Sequence, residues 1–341
     1  MRFKATLASE QIQILNSLIT PISRMNGEGT ANQAKGHLGL TGGGSVVHFD
    51  QKHIRISTRG SHGDADGISC FVELACDIIF LEHRIESASD NTILFEIDLA
   101  HLRTALQSVL NSLRGKSALP SLHNSSLEDA DDGPAMGQLQ STVVVMKLAK
   151  RCGLPCLCLD CCGGSIEVHH ALPVKVMRVA EMQYHLPPRI QNPDVQLELP
   201  LDRPIRTVVE RLRTLSPFIY IEGRMTGELC LSIDGDGVSI RTYYNRLVPR
   251  FEECKASKEH TENEEGEDDT SARCVLKVDS KKLLSSLQWQ STLPLGRAVN
   301  SAILCMVENE MLVLHVLLNP RSLGFFTYYV PVNFISADQM D

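Results

Sequence analysis

Five cysteines, Cys152, Cys156, Cys158, Cys161 and Cys162, crowd one short stretch, and thiols at that density are the first place to look for metal or redox chemistry. Cys158-Leu159-Asp160-Cys161 has CxxC spacing, and His169 and His170 follow closely. A structural zinc site needs a second ligand pair at matching distance, and the two histidines are neighbours on a strand-like run, so they point to opposite faces. Buried or half-buried thiols are therefore expected, with no metal and no cofactor. An enzyme that uses zinc or a thiol within 152–162 is the alternative from a different class. Gly42-Gly43-Gly44 precedes Ser45 without the lysine of a phosphate-binding loop and without a helix behind it. Asp234-Gly235-Asp236-Gly237 looks like the start of a calcium loop, but Asn245 stands at the twelfth position, where a bidentate carboxylate belongs. Asn124-Ser125-Ser126 fits a glycosylation acceptor only in a secreted chain, and Ser125, Ser126 and Thr270 beside acidic runs are possible phosphorylation sites. No catalytic grouping of Ser, His and Asp or of Cys and His assembles from the sequence.

The elements that must hold these residues are those of a globular chain. Of 341 residues, 43% are apolar and 22% charged, enough for a sizeable core. Eleven cysteines, an odd number, read as free thiols in an intracellular protein. The apolar run around Met311 to Leu318 is broken by His315 and is far too short to cross a membrane. Met1-Arg2-Phe3-Lys4-Ala5-Thr6-Leu7 alternates like a strand and lacks the apolar block of a secretory signal. A net charge of −8 leaves any nucleic-acid contact to a local basic face.

Four stretches read as inserts or linkers: 26–44, 112–137, the proline-containing 173–193, and the acidic 252–271. Between them the spacing predicts four helices. The first follows Ser9 and carries Ile12, Leu15, Leu18, Ile19 and Ile22; the second follows Asp98 with Leu99, Leu102, Leu106, Val109 and Leu113. The third opens with Asp202 and Pro204 and lines up Ile205, Val208, Val209, Leu212 and Leu215; the fourth follows Asp279 with Leu283, Leu284 and Leu287. Runs at 195–199, 218–222, 228–233, 238–243 and 325–331 alternate as strands, and the Asp-Gly pairs at 234–237 form a hairpin turn. Phe95-Glu96-Ile97-Asp98 with Leu102, Leu106 and Gln107 recurs at a constant offset as Leu276-Lys277-Val278-Asp279 with Leu283, Leu287 and Gln288. A two-copy architecture follows, each copy holding two helices and a set of antiparallel strands.

Charge is segregated. The ends and outer faces of these helices carry Arg24, Arg103, Arg114, Arg203, Arg206, Arg211, Arg213, Lys281 and Lys282, against few acids, most of them caps. On the third helix the apolar stripe leaves Arg206, Glu210 and Arg213 on the outer side. Such a face suits a phosphate backbone bound without base reading.

Two strand-and-helix halves, a proline-containing connector and basic helices resemble sliding clamps such as proliferating cell nuclear antigen. More specifically, the chain resembles the Hus-one subunit family of the heterotrimeric nine-one-one checkpoint clamp. The matching stretches include Met1-Arg2-Phe3-Lys4-Ala5, Gly67-Ile68-Ser69-Cys70-Phe71-Val72-Glu73-Leu74 and Leu154-Pro155-Cys156-Leu157. Leu172-Pro173-Val174-Lys175-Val176-Met177, Asn192-Pro193-Asp194-Val195-Gln196-Leu197-Glu198-Leu199-Pro200 and Tyr328-Tyr329-Val330-Pro331 continue it. The resemblance implies an α+β fold of two clamp domains, 1–172 and 194–341, joined by the connector 173–193, with antiparallel sheets outside and four helices lining the inner face. It implies a non-catalytic subunit that closes a heterotrimeric ring with two related but distinct clamp subunits around double-stranded DNA. A clamp loader places such a ring, and checkpoint and repair proteins dock on it, in the nucleus. Arg203, Arg206, Arg213, Arg103, Lys281 and Lys282 are the expected hole-lining phosphate contacts. A replicative homotrimeric clamp is the alternative within the same fold.

Overall fold

Asp98 and Asp279, the two residues that align in the sequence repeat, each end a strand and start a helix. The Asp98 carboxylate accepts from the backbone N–H of Ala100 at 2.8 Å, and Asp279 accepts from Lys281 and Lys282 at 2.8 and 3.0 Å. A carboxylate there satisfies donors that the first helical turn leaves unpaired and is worth about 1 kcal/mol. The computed structural model, which describes residues 1–25, 44–59, 67–117, 143–162, 167–190, 192–235, 237–250, 272–294 and 297–334, shows four units that each open with such a strand-to-helix step.

The first unit is β1 (Arg2–Leu7), α1 (Ser9–Met25), β2 (Ser45–Phe49), β3 (His53–Arg59), β4 (Ser69–Ala75), the one-turn α2 (Cys76–Ile79) and β5 (Glu82–Glu86). The second is β6 (Ile93–Ile97), α3 (Leu99–Ser117), β7 (Val144–Arg151), β8 (Leu154–Cys161), β9 (Val168–Pro173) and β10 (Lys175–Val176). The third is β11 (Val195–Glu198), α4 (Ile205–Leu212), β12 (Phe218–Arg224), β13 (Glu228–Gly235), β14 (Val238–Tyr244) and β15 (Val248–Pro249). The fourth is β16 (Arg273–Asp279), α5 (Ser280–Ser286), α6 (Trp289–Thr292), β17 (Val299–Val307), β18 (Met311–Leu318) and β19 (Gly324–Asn333).

Units interlock in pairs. The first strand of each joins the second strand of its neighbour: β1 with β7, β6 with β2, β11 with β17, and β16 with β12. The expected two copies are thus each an interlocked pair. The other two starts, placed by the helix spacing, fell outside the sequence repeat because they carry no acidic cap: Ala8 accepts from Ile12, and α4 starts behind Pro204. The halves join where β4 pairs antiparallel with β19, from Gly324 opposite Leu74 to Tyr329 opposite Ser69. Phe71 and Tyr329 stack edge-to-face across this joint, their ring centroids 5.5 Å apart. Helices lie on the sheets in a row: α3 packs on α1, α1 meets α5 and α6, and α5 packs on α4. Their apolar stripes, Ile12, Leu18 and Ile22 in α1 or Ile205, Val209 and Leu212 in α4, are buried in the core. Each such side chain is worth roughly 1.5–3 kcal/mol.

Several expectations need correction. The second helix runs on to Ser117, so 112–117 belongs to it and not to an insert. Asp202 does not cap the third helix: it is exposed beside Arg203, Pro204 is the N-cap, and Gln290 of α6 accepts from the Arg206 backbone N–H at 2.9 Å. Leu215 lies beyond the end of α4 and is exposed. The connector is not simply extended, since β10 adds to β6 and Val179–His185 forms a 3-10 helix. The hairpin at Gly235 and Val238 forms as expected. The readings on 26–43, 118–142 and 252–271 lie outside the described residues.

On the outer face of β2–β4, the Arg55 guanidinium bridges Asp50 and Glu73, both at 2.7 Å. Burial pushes the Asp50 carboxyl up, but backbone donation by Lys52 and His53 and the Arg55 charge outweigh it and hold it below its ordinary 3.8. A depressed carboxyl stabilises the fold fully above its unfolded value and loses that contribution as pH falls through the folded one. Urea midpoints should therefore drop below about pH 3.8, and Asp50→Asn, weaker near neutrality, should show a smaller drop. Gly324 has φ of +136°, and a Cβ there would meet the Glu73 carbonyl oxygen at 1.9 Å. Gly324→Ala should cost more than about 2 kcal/mol in chemical denaturation. Gly153→Ala, also at positive φ but in open space, should cost about 1 kcal/mol.

Candidate nucleic-acid interface

The helix row presents one surface away from the sheets, and its chemistry differs from end to end. Between α1 and α3 lies an open groove of about 710 Å³ lined by Asn16, Thr20, Arg24, Arg103, Thr104, Gln107, Ser108, Asn111 and Ser112. It holds two guanidinium groups, several amides and hydroxyls, and no carboxylate. The Asn16 amide donates to Gln107 at 3.2 Å and the Gln107 amide to Asn111 at 3.1 Å, so this polar strip bridges both helices. Neither α3 nor α5 contains an acidic residue. Amides, hydroxyls and arginines without carboxylates are the donor set that hydrogen-bonds phosphate oxygens irrespective of sequence.

The six expected phosphate contacts are not equivalent. Lys281 is exposed and Lys282 half-buried in the first turn of α5, and Arg213 is exposed just past α4. Arg103 is half-buried at the α1–α3 groove beside Arg24. Arg203 is exposed, 3.8 Å from Asp202. Arg206 does not stand outward: its side chain is 17% exposed, pairs with Glu210 at 2.6 Å, and leaves one buried guanidinium nitrogen without a partner. A guanidinium so paired has little charge left for a phosphate. The structure thus brings Arg103 together with Arg24 across one groove and leaves Arg203, Arg213, Lys281 and Lys282 spread along the C-terminal half. The neutral strip of Asn16, Gln107 and Asn111 was missed. Its signal was present as amides and hydroxyls at helical spacing on the flank of each apolar stripe, a pattern that charge counting passes over.

The opposite face carries a cavity of about 370 Å³ beneath the connector. Ile56, Phe71, Leu94 and Phe325 of the sheet and Met182 and Leu186 of the connector line it. His48 at its edge has its imidazole pushed down by burial and by the nearby Arg55 charge, so it stays neutral and compatible with an apolar occupant.

The cysteine stretch holds no CxxC site. Cys156, Cys158 and Cys161 are buried within β8, where positions three apart point to opposite faces, while Cys152 sits exposed in the β7–β8 turn and Cys162 is exposed after β8. Burial raises the Cys156 thiol, against the direction a nucleophile needs.

Known proteins share this architecture. The structure superposes on proliferating cell nuclear antigen from Thermococcus kodakaraensis with a TM-score of 0.55 and 13% identity, over 97% of this chain and all of that one. The fold is that of a sliding clamp. The chain is 24% identical over 288 residues to a checkpoint protein hus1 homolog of Dictyostelium discoideum, covering 84% of this chain and 89% of the relative. It is 26% identical over 264 residues to checkpoint protein HUS1 of Homo sapiens, covering 76% and 80%. Checkpoint protein hus1 of Schizosaccharomyces pombe is 25% identical over 269 residues, covering 75% and 80%. The profile of the family described as Hus1-like protein matches residues 1–333, and this chain belongs to that family.

Proposed function

We propose that the chain is one non-catalytic subunit of a heterotrimeric checkpoint clamp that encircles double-stranded DNA in the nucleus. There it signals damage and offers its outer surface to repair proteins. Its two ring partners are related but distinct clamp subunits, and a clamp loader places the ring on DNA. The observation that carries this reading is an equivalence of strands. β4, β9, β14 and β19 are each the fourth strand of their unit, and β4 and β19 pair with each other inside the chain. Among the described residues β9 pairs only with β8 and β14 only with β13, so each has an open edge. Joining β14 of one subunit to β9 of the next would repeat the internal joint. Such a head-to-tail contact closes into a ring when the rotation allows, and an unpaired edge is a template for another strand. The exposed Val238 and Tyr243 on β14 would then be covered.

Within that ring the helix row faces the DNA. Arg203, Arg213, Arg103, Lys281 and Lys282 supply phosphate contacts, Arg24 joins them, and Arg206 contributes least because Glu210 neutralises it. The cavity under the connector is the docking place for an apolar anchor of a repair protein.

Solution mass tests the assembly. The chain alone should be monomeric and should form a one-to-one-to-one complex with two partner clamp subunits. Tyr243→Glu should abolish the complex without lowering the monomer's unfolding midpoint. A stable homotrimer would move the function to replication, and indifference to both partners would refute the ring. Retention of the loaded ring on DNA tests the interface. Replacing Arg24, Arg103, Arg203, Arg213, Lys281 and Lys282 by glutamine should shorten it severalfold and flatten its salt dependence. Arg206→Gln alone should change little, and unchanged retention in the multiple variant would remove the phosphate assignment.

A further inference from the structure

At the end of the β8–β9 hairpin, four side chains form a square on one face. β8 and β9 are antiparallel with Asp160 opposite His169 and Cys161 opposite Val168. Cys162 and Glu167 are the residues next beyond these two strand ends, and both are exposed there beside His169. The Cys162 sulfur, a Glu167 carboxylate oxygen and a His169 ring nitrogen all lie within 4.8 Å of one another. From these we infer a zinc site with Cys162, Glu167 and His169 as its three protein ligands.

The donor set and its support both favour this. Thiolate, imidazole and carboxylate are the three side-chain ligands of zinc, at about 2.3, 2.0 and 2.0–2.2 Å, which sets neighbouring donors roughly 3.3–3.7 Å apart. His169 Nε2 and Glu167 Oε2 already stand 3.6 Å apart, and the Cys162 sulfur lies within 4.8 Å of a ligand atom of each. The other imidazole nitrogen is occupied: His169 Nδ1 lies 2.9 Å from Asp160 Oδ1. A proton on Nδ1 shared with that carboxylate leaves the Nε2 lone pair for a metal, the arrangement in which a carboxylate orients a ligating histidine. Asp160 is itself buried and held by the Lys147 ammonium at 2.6 Å, so the orienting group is fixed before any metal arrives. Binding releases the Cys162 thiol proton to solvent, and no electron transfer is involved. Three protein ligands leave the fourth position open to solvent. The metal would clamp the end of the hairpin whose outer strand, β9, has the open edge.

An ordinary ion pair between His169 and Glu167 would need neither the thiol nor a metal. Cobalt separates the two, because a thiolate bound to Co²⁺ gives a near-ultraviolet charge-transfer band. The purified full chain titrated with Co²⁺ should show that band at one equivalent, and Zn²⁺ should displace it. Cys162→Ser should abolish the band, while Cys152→Ser, at the exposed β7–β8 turn, should keep it. Glu167→Gln and His169→Ala should each weaken Zn²⁺ competition at least tenfold. Asp160→Asn should keep the band with affinity lowered about 10- to 100-fold. A chain without the band at millimolar Co²⁺, or a band that survives Cys162→Ser, would overturn the site.

Discussion

Strand exchange between neighbouring units is the constraint on which the rest of this structure depends. β1 cannot complete its hydrogen bonding without β7, nor β6 without β2, and the same reciprocity ties β11 to β17 and β16 to β12. Backbone donors and acceptors left unpaired in an apolar interior cost about as much as a lost hydrogen bond each. One unit therefore has no satisfied folded state alone, and a half of the molecule is the smallest piece in which every first strand has a partner. The exchange also places both helices of a half side by side on the same sheets, and α1 and α3 meet along a polar groove for that reason.

Joining the halves through β4 and β19 has two consequences. It aligns the helices into one row from α3 through α1 and α5 to α4, so a surface assembled from distant sequence becomes continuous. It also consumes two of four equivalent strands and, among the described residues, leaves β9 and β14 each with one unpaired edge. The joint tolerates little: the backbone at Gly324 approaches the Glu73 carbonyl so closely that only a residue without a Cβ fits. On the sheet side Arg55, Asp50 and Glu73 hold β2, β3 and β4 together beneath the connector. Arg55 and Glu73 of that network also line the cavity, and their pairing leaves neither charge without a partner at its wall.

Much of this was legible residue by residue. The stripes of α1 and α3, the alternation of β11, β12, β13 and β14, and the caps Asp98 and Asp279 are local signals, produced by side-chain periodicity and by one carboxylate reaching two backbone amides. Where the partner was distant, reading failed. Asp202 looked like a cap, yet Gln290 satisfies the start of α4 from the other side of the packing interface. Arg206 read as an outward charge, but its side chain is largely buried and paired with Glu210. The amides of Asn16, Gln107 and Asn111 stand at helical spacing in the sequence, but that they join into one strip follows only from α1 and α3 being neighbours.

The sequence by itself determined the class of fold, the family, the position of most helices and strands, and the excess of base over acid on the helices. Those follow from periodicity, composition and local hydrogen bonding, whose range is a few residues. Only the tertiary structure decided that two visible copies are four interlocked units, which strands have unpaired edges among the described residues, and which arginines stand exposed. It also decided that Cys162, Glu167 and His169 share one face while Cys158 and Cys161 do not. Each depends on which strand lies opposite which, and register is set by burial of the whole sheet face, a quantity no short window of sequence contains.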